Sequence, residues 1–153
     1  GNQGLWYRDA GSGGWRRWAA PGFVAGQVEY LLASRLGGDE ALWISGFGTG
    51  LWRLRRDGLT HWSRASGALS SNELYGIAQT TTAQGDHTTW VASRAGLVRI
   101  HDDQAQTFDR RHGLASDVVR GLDAWEAPGG GQVFVDRSRC GIRHGIPLAR
   151  VRA

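Results

Sequence analysis

Three glycines alternate in the segment LWISGFGTGLWRL, residues 42–54, where a glycine-rich loop could bind a phosphate group. Such a loop needs a strand before it and a helix after it, because the helix N-terminus supplies the amides that hold the phosphate. Here residues 51–55 alternate apolar and basic side chains, which is typical of a strand. The segment also lacks the Lys-Ser/Thr pair of a P-loop. The sequence therefore favours a glycine turn between two strands of a hairpin.

A second candidate for chemistry is the tetrad Gly-Gly-Asp-Glu at residues 37–40, which is four fifths of the diguanylate cyclase signature. The fifth residue is Ala41, where the signature has phenylalanine. The tetrad also lies just before a predicted strand, where Gly-Gly-Asp is ordinary turn chemistry. We expect a turn here and no cyclase activity.

Other catalytic and metal-binding patterns are also missing from the sequence. The histidines show neither metal-ligand spacing nor a pairing with Cys140, there is no Gly-x-Ser-x-Gly motif, and the carboxylates are evenly spread. Residues 8–15 resemble the Asp-box turn of sialidase-like propellers, but the pattern is not repeated, so a glycine-rich turn is favoured. We expect this segment to have no catalytic residues, no metal and no cofactor. The histidines considered are His61, His87, His101, His112 and His144.

Composition indicates one β-rich domain. The chain has 153 residues, with 24 glycines, eight tryptophans and no methionine, and it shows no run of helical periodicity. The formal net charge is +4, but the arginines are spread along the chain, so we expect a solvated surface and no nucleic-acid partner. The single cysteine excludes an internal disulfide. No apolar run approaches membrane-spanning length, so we expect no membrane contact from this segment.

An internal repeat is the most informative feature of the sequence. Leu5, Leu51 and Leu97 follow equivalent glycines, and their spacings are 51 − 5 = 46 and 97 − 51 = 46 residues. Trp43 aligns with Trp90, and residues 15–18 align with residues 59–62. Residues 61–62 align with 108–109, and residue 72 aligns with 117. Residues 132–145 form a weaker further copy. A period of this length predicts a repeat architecture in which each unit needs its neighbours for burial.

Each unit of about 46 residues holds four short strand candidates separated by turns rich in Gly, Asp and Ser, which is typical of a β-propeller. The predicted fold is all-β: a partial β-propeller of four-stranded antiparallel blades that is a fragment of a larger ring. The predicted divisions are a half blade at 1–25, blades at 26–63 and 72–110, and a divergent partial blade at 117–153. Residues expected to pack between blades are Trp43, Trp52, Trp62, Trp90, Leu51, Leu97 and Phe108.

The repeats resemble those of the two-component regulator propeller family. The matching residues are 42–46, 50–51, 59–62 and 67–72 in one unit, and 90–93, 96–97, 107–108 and 113–117 in the next. The resemblance covers residues 4–125 well and 126–145 loosely. Ser45 and Ala92 stand where the family has glycine, Asp117 stands where it has asparagine, and the last copy lacks its tryptophan.

The resemblance implies the ligand-sensing part of a bacterial membrane receptor, either a two-component histidine kinase or a diguanylate cyclase, with this part non-catalytic itself. It also implies a periplasmic location, with an immunoglobulin-like domain, a membrane helix and an output domain downstream. The chain begins with glycine inside a repeat, so we expect a piece of a longer protein with any targeting signal outside it. The alternatives are a propeller scaffold for protein–protein interaction and a fragment of a propeller glycosidase or lyase.

Candidate ligand-binding residues follow from positions that vary between units while occupying one place in the blade. Aligning residues 27–31, 73–77 and 118–122 as innermost strands gives a polar column that is predicted to face the central channel. A channel mouth with arginines and aromatic rings suits a small anionic or carbohydrate ligand. The column is Glu29, Tyr75 and Arg120, and the residues expected on the same face are Phe47, Asn72, Arg94, Asp117 and Arg137. Asn72 and Asp117 are also candidates for capping their own turns.

The partners expected from the sequence are that ligand and the remaining blades of the parent propeller. Open edge strands at both ends also predict a homodimer or aggregation.

Overall fold

The computed structural model describes residues 4–11, 13–24, 26–35, 40–82, 84–127 and 130–136. Over these residues the chain forms β-strands and one short 3-10 helix, Arg110–His112. The strands are β1 (Trp6–Tyr7), β2 (Arg16–Arg17), β3 (Gln27–Ser34), β4 (Ala41–Phe47), β5 (Gly50–Arg55), β6 (Gly58–Trp62), β7 (Leu74–Thr81), β8 (His87–Ser93), β9 (Gly96–His101), β10 (Gln104–Phe108), β11 (Gly121–Ala127) and β12 (Gly130–Asp136). The prediction of an all-β chain is confirmed. The cyclase-like tetrad lies outside the described residues except for Glu40.

The strands form four antiparallel sheets in chain order. β1 and β2 make a two-stranded sheet, β3–β6 and β7–β10 each make a four-stranded sheet, and β11 and β12 make a second two-stranded sheet. Within each sheet, every strand pairs with the strand that follows it in the chain, so each sheet is a simple meander. The predicted four-stranded antiparallel units are therefore present.

The sheets pack face to face, with apolar layers between them, because side chains alternate along each strand. Trp43 on β4 packs in the layer shared with β7–β10, which includes Val91. Its neighbour Ile44 packs in the layer shared with β1–β2, which includes Leu5. A third layer, around Leu97, lies between β7–β10 and β11–β12. Of the residues predicted to pack between blades, Trp90 is half-buried, and those that are buried are Trp43, Trp52, Trp62, Leu51, Leu97 and Phe108.

The strand register shows which residues are equivalent between units. Leu51 lies opposite Trp62, and Leu97 lies opposite Phe108. In the first sheet the backbone N–H of Trp18 donates to the carbonyl of Leu5 over 2.8 Å. The sequence alignment that placed residue 62 with residue 109 was therefore wrong by one residue. The β5–β6 and β9–β10 hairpins, which we call the outer hairpins, have turns of equal length. The spacing from the leucine to the aromatic residue is therefore the same in both.

Gly50 and Gly96 begin β5 and β9 at equivalent places, and both require glycine. Their φ angles are 88° and 120°, which side-chain-bearing residues rarely adopt. A Cβ on Gly50 would overlap the carbonyl oxygen of Trp62, and one on Gly96 would overlap that of Phe108. The glycine turn favoured over a phosphate loop is present, with a strand and not a helix after it.

Within the described ranges, no helix is long and apolar enough to cross a membrane.

Candidate ligand-binding site

One end of the sheets carries most of the residues that the sequence nominated. We call it the upper end: it holds the β4–β5 and β8–β9 turns and the connections that lead into β7 and β11. Phe47 pairs with Glu73 in an isolated bridge, and the N–H of Gly48 donates to the carbonyl of Asn72 over 2.9 Å. In the next unit the N–H of Val119 donates to the carbonyl of Ser93 over 3.0 Å. These bonds join neighbouring sheets at the upper end.

Glu29 and Tyr75, two of the three residues in the polar column, lie at equivalent β-bulges. The β3–β4 register shifts between Val28 and Tyr30, so Glu29 is the bulged residue. The β7–β8 register shifts in the same way around Tyr75. A bulge re-aims the side chain it carries and is common beside functional sites. Glu29 is exposed and accepts a hydrogen bond from Gln27 Nε2 over 2.6 Å, whereas Tyr75 is half-buried.

The third column residue, Arg120, lies just before β11, because that strand begins at Gly121 and not at 118 as the alignment predicted. Its guanidinium carbon is 5.0 Å from the centre of the Tyr75 ring. This is a cation–π contact between side chains from neighbouring units. The structure thus brings Tyr75 and Arg120 together, while Glu29 bonds to a neighbour on its own strand.

Arg94 forms an ion pair with Glu73, a residue that the sequence did not nominate. Arg94 Nη1 is 3.1 Å from Glu73 Oε2, and the N–H of Arg94 also donates to the Glu73 carbonyl over 3.0 Å. The Arg94 side chain is 64% exposed, so the pair faces solvent. Phe47, 43% exposed, pairs with the same Glu73. Glu73 could have been identified from the alignment of the innermost strands. It aligns with Val118 there, so its position also varies between units.

Asn72 and Asp117 hold the connections in place. The Asn72 carbonyl oxygen Oδ1 accepts from the N–H of Arg64 over 2.7 Å. Asp117 Oδ1 accepts from the N–H of Arg110 over 2.9 Å. The two bonds are equivalent in the repeat and satisfy backbone donors in turns that regular strands cannot satisfy. Both residues therefore have a structural role, and each anchors a loop seven or eight residues upstream instead of capping its own turn.

A shallow depression of about 360 Å³ opens beside the connection between β10 and β11. Next to it, the Asp109 carboxylate accepts hydrogen bonds from Arg111 and His112 at the start of the 3-10 helix. The hydrogen bond from Arg111, and to a smaller extent the one from His112, holds the pKa of this carboxyl well below its usual range. The depression is lined by Arg110, Ala115, Ser116, Asp117 and Val118.

The upper end thus combines two arginines, a carboxylate and two partly exposed aromatic rings. This set can donate hydrogen bonds to an anion and stack against an apolar ring face. The remaining nominated residue, Arg137, lies outside the described residues.

No group of three or more His, Cys, Asp or Glu side chains that could hold a metal occurs in the part of the chain that the structure describes. Comparison with known proteins gives no assignment: no protein-family model matches the chain, and neither does any curated protein or solved structure.

Proposed function

We propose that this chain is the ligand-sensing part of a β-propeller receptor and is itself non-catalytic. Two four-stranded meanders follow one another in the chain, and each contributes one face to an apolar layer with the next sheet. This arrangement supports consecutive blades of a propeller, in which a blade needs a neighbour on each side. The two-stranded sheets at the ends support partial blades that further units would complete.

The observation that carries the proposal is the variable chemistry at the upper end. Equivalent bulges present a carboxylate at Glu29 in one unit and a phenol at Tyr75 in the next. The backbone is repeated while the side chains differ, which is the arrangement expected of a site built on a repeat scaffold.

The side chains present favour an anionic or carbohydrate ligand. Arg94 and Arg120 supply charged donors, and Phe47 and Tyr75 supply partly exposed ring surface. Because Arg94 is already paired with Glu73, an anion would have to exchange with that carboxylate. A sugar acid has a carboxylate that can bind the arginines and an apolar ring face that can stack on the aromatic side chains.

The proposed context is a histidine kinase or diguanylate cyclase with this propeller outside the inner membrane. It rests on the resemblance of residues 4–125 to two-component regulator propeller repeats. The test is to sequence the parent gene through both ends of this segment. We expect a signal peptide upstream, with a membrane helix and a kinase or cyclase domain downstream. A full-length product without any membrane helix would overturn the receptor proposal.

A second candidate function is a scaffold for protein–protein contact, and an apolar cleft favours it. The cleft, of about 460 Å³, lies between the β1–β2 sheet and the β3–β6 sheet. Trp6 and Leu31 in it are 47% and 46% exposed. Its lining residues are Leu5, Trp6, Tyr7, Trp18, Leu31, Leu42 and Leu54. A soluble full-length protein with further repeats would favour this function, and clustered carboxylates in further units would favour a glycosidase or lyase.

A further inference from the structure

Part of the apolar face of the β3–β6 sheet is uncovered beside the β1–β2 sheet. Leu31 is 46% exposed there, and Leu42 and Leu54 are half-buried. The three side chains line the cleft of about 460 Å³ between the two sheets, and we call them the open patch. Because burial of apolar side chains is favourable, a patch of this kind indicates a surface that another element covers.

The strand register places copies of these three positions on the β7–β10 sheet. The innermost strands β3 and β7 align after their bulges, and the pairs β4–β5 and β8–β9 align from their glycine turns. All three copies are buried, so the same surface is covered on one sheet and open on the other. The copies of Leu31, Leu42 and Leu54 are Ile77, Thr89 and Ile100.

Strands β3 and β4 cover the copied positions. Leu32 and Trp43 lie opposite each other on these strands. Both pack in the layer that contains Ile77 and Ile100. The β1–β2 sheet corresponds only to the outer strands β5 and β6. In the described part of the chain β1 pairs with β2 alone, so no strand of this sheet takes the place of β3 or β4.

The layer between the two four-stranded sheets is also supported by an ion pair. Arg53, on β5, is buried against the rings of Trp43 and Trp62. Its two terminal nitrogens donate hydrogen bonds to the carboxylate of Asp103, which lies in the β9–β10 turn with a φ angle of 63°. Tyr7 takes the place of Arg53 in the β1–β2 sheet, so an equivalent ion pair cannot form there. Apolar contacts therefore matter more in the layer beside β1–β2.

The turn that leads into β1 indicates where a covering strand comes from. Gly4 has a φ angle of 71°, and the equivalent Gly50 and Gly96 have angles of 88° and 120°. In both four-stranded sheets this glycine follows a two-residue turn from the strand that pairs with its own. The chain thus enters β1 as it enters β5 and β9. This favours a strand joined to β1 through the same turn over a strand from another molecule.

We propose that the open patch and the second edge of β1 hold a β-hairpin that immediately precedes β1 in the parent chain. The hairpin packs as β3 and β4 pack on the β7–β10 sheet, with an apolar cross-strand pair on the patch, and it adds to β1 in the antiparallel register of β4 on β5. The inference rests on the proposed function, because it assumes consecutive blades, but it does not depend on a ligand at the upper end. The cleft is then closed in the parent protein.

The first test is a graft that replaces residues 1–3 with a second copy of residues 26–49, so that the copied turn leads directly into Gly4. The matched graft has serine in place of the copied Leu32 and Trp43. We expect the first graft to unfold at a urea concentration at least about 0.5 M higher than the matched graft, because the apolar pair is buried on the patch. Equal midpoints of two folded grafts would overturn the proposal.

If a graft does not fold, the same hairpin is made as a synthetic peptide and titrated into the whole chain by calorimetry. We expect binding that Leu31→Ser weakens about tenfold, because an apolar contact is lost. Val24→Ser is the control, since Val24 is exposed and lies outside the cleft lining. No binding, or unchanged binding by the Leu31 variant, would overturn the docking site.

The source of the hairpin is tested by the parent gene upstream of Gly4. We expect a strand–turn–strand pattern like that of residues 27–47, with apolar residues at the places of Leu32 and Trp43. A gene that encodes a membrane helix and an output domain but no such hairpin would overturn this inference alone. A gene that encodes the hairpin but no membrane helix would overturn the receptor proposal alone.

Discussion

The Arg53–Asp103 pair ties the two four-stranded sheets together through single side chains. Arg53 is buried, whereas the Asp103 side chain is 55% exposed. Changing Asp103 to asparagine keeps the turn, because asparagine tolerates a positive φ, but leaves the buried guanidinium uncompensated. We predict that Asp103→Asn lowers the free energy of unfolding by about 1.5 kcal/mol, measured by urea denaturation.

Asp102→Asn is the matched control, because Asp102 adjoins Asp103 in the same turn and its side chain is 89% exposed. Its effect should stay within about 0.5 kcal/mol. Equal effects of the two substitutions would show that the turn, and not the ion pair, determines stability.

The same pair makes stability depend on pH. The hydrogen bond from Arg53 holds the pKa of the Asp103 carboxyl below its ordinary value, against partial burial and with help from the charges of Arg53 and Arg55. A lowered pKa in the folded state means that the unfolded chain takes up the proton first as pH falls. The stabilisation is therefore complete above the ordinary pKa of about 3.9 and is lost as pH falls through the folded value.

The unfolding free-energy difference between the unmodified chain and Asp103→Asn should thus be constant from about pH 7 to 5 and shrink below about pH 4. Urea denaturation at a series of pH values measures it. A difference that grows on acidification would contradict the assignment.

Glu73 is paired with Arg94 at the upper end, so in our proposal an anion has to compete with this carboxylate. The pair is solvent-facing, so its own contribution to stability is small. We predict that Glu73→Gln tightens binding of a carboxylate probe such as glucuronate about threefold, because Arg94 no longer has to exchange partners. Calorimetric titration measures the effect. A weaker affinity would indicate that Glu73 itself contacts the probe.

At the scale of elements, the glycine turns decide where each outer hairpin begins. Gly96 needs a positive φ and also lacks room for a Cβ beside Phe108. Gly67 also has a positive φ, of 77°, but a Cβ there would meet nothing. We predict that Gly96→Ala costs about 3 kcal/mol of unfolding free energy and Gly67→Ala about 1 kcal/mol. Thermal or urea unfolding of both variants measures the difference, which combines the more strained φ of Gly96, 120°, with its lack of room. Equal costs would contradict the prediction.

Much of the element pattern was predictable, because repeated turn glycines and aromatic residues are local signals. The apolar and basic alternation of residues 51–55 predicted a strand, and not a helix, after Gly50. The error of one residue at Trp62 arose because the alignment matched similar residue types, whereas turn length sets the register of a hairpin.

The site was predictable only in part. The variable column located Tyr75 and Arg120, which do contact each other. The ion pair to Glu73 and the Arg53–Asp103 link join residues 21 and 50 positions apart, and their formation depends on how neighbouring sheets stack. Sequence spacing alone does not specify such pairs. Asn72 and Asp117 were nominated because they were expected on the same face as the variable column, but the donors that they satisfy belong to the backbone.

At the scale of the whole molecule, the chain is a series of sheets with apolar layers and polar upper ends. Stability resides between the sheets, where aromatic and aliphatic residues are buried. Function, in our proposal, resides at the upper end, where the repeated backbone carries unlike side chains. This division explains why the residues that recur between the sheets, such as Leu51 and Leu97, are apolar, and why the polar column at the upper end does not recur.

The most direct test of this account is a calorimetric titration of the chain with glucuronate, citrate and neutral maltose, repeated with the double variant Arg94→Ala/Arg120→Ala. Arg56→Ala, which removes an arginine from the opposite end of the same stack, is the control. We predict binding of at least one acidic probe, weakened about tenfold or more by the double variant and unaffected by the control. No binding of any probe, or equal affinity in the double variant, would contradict a ligand site at the upper end.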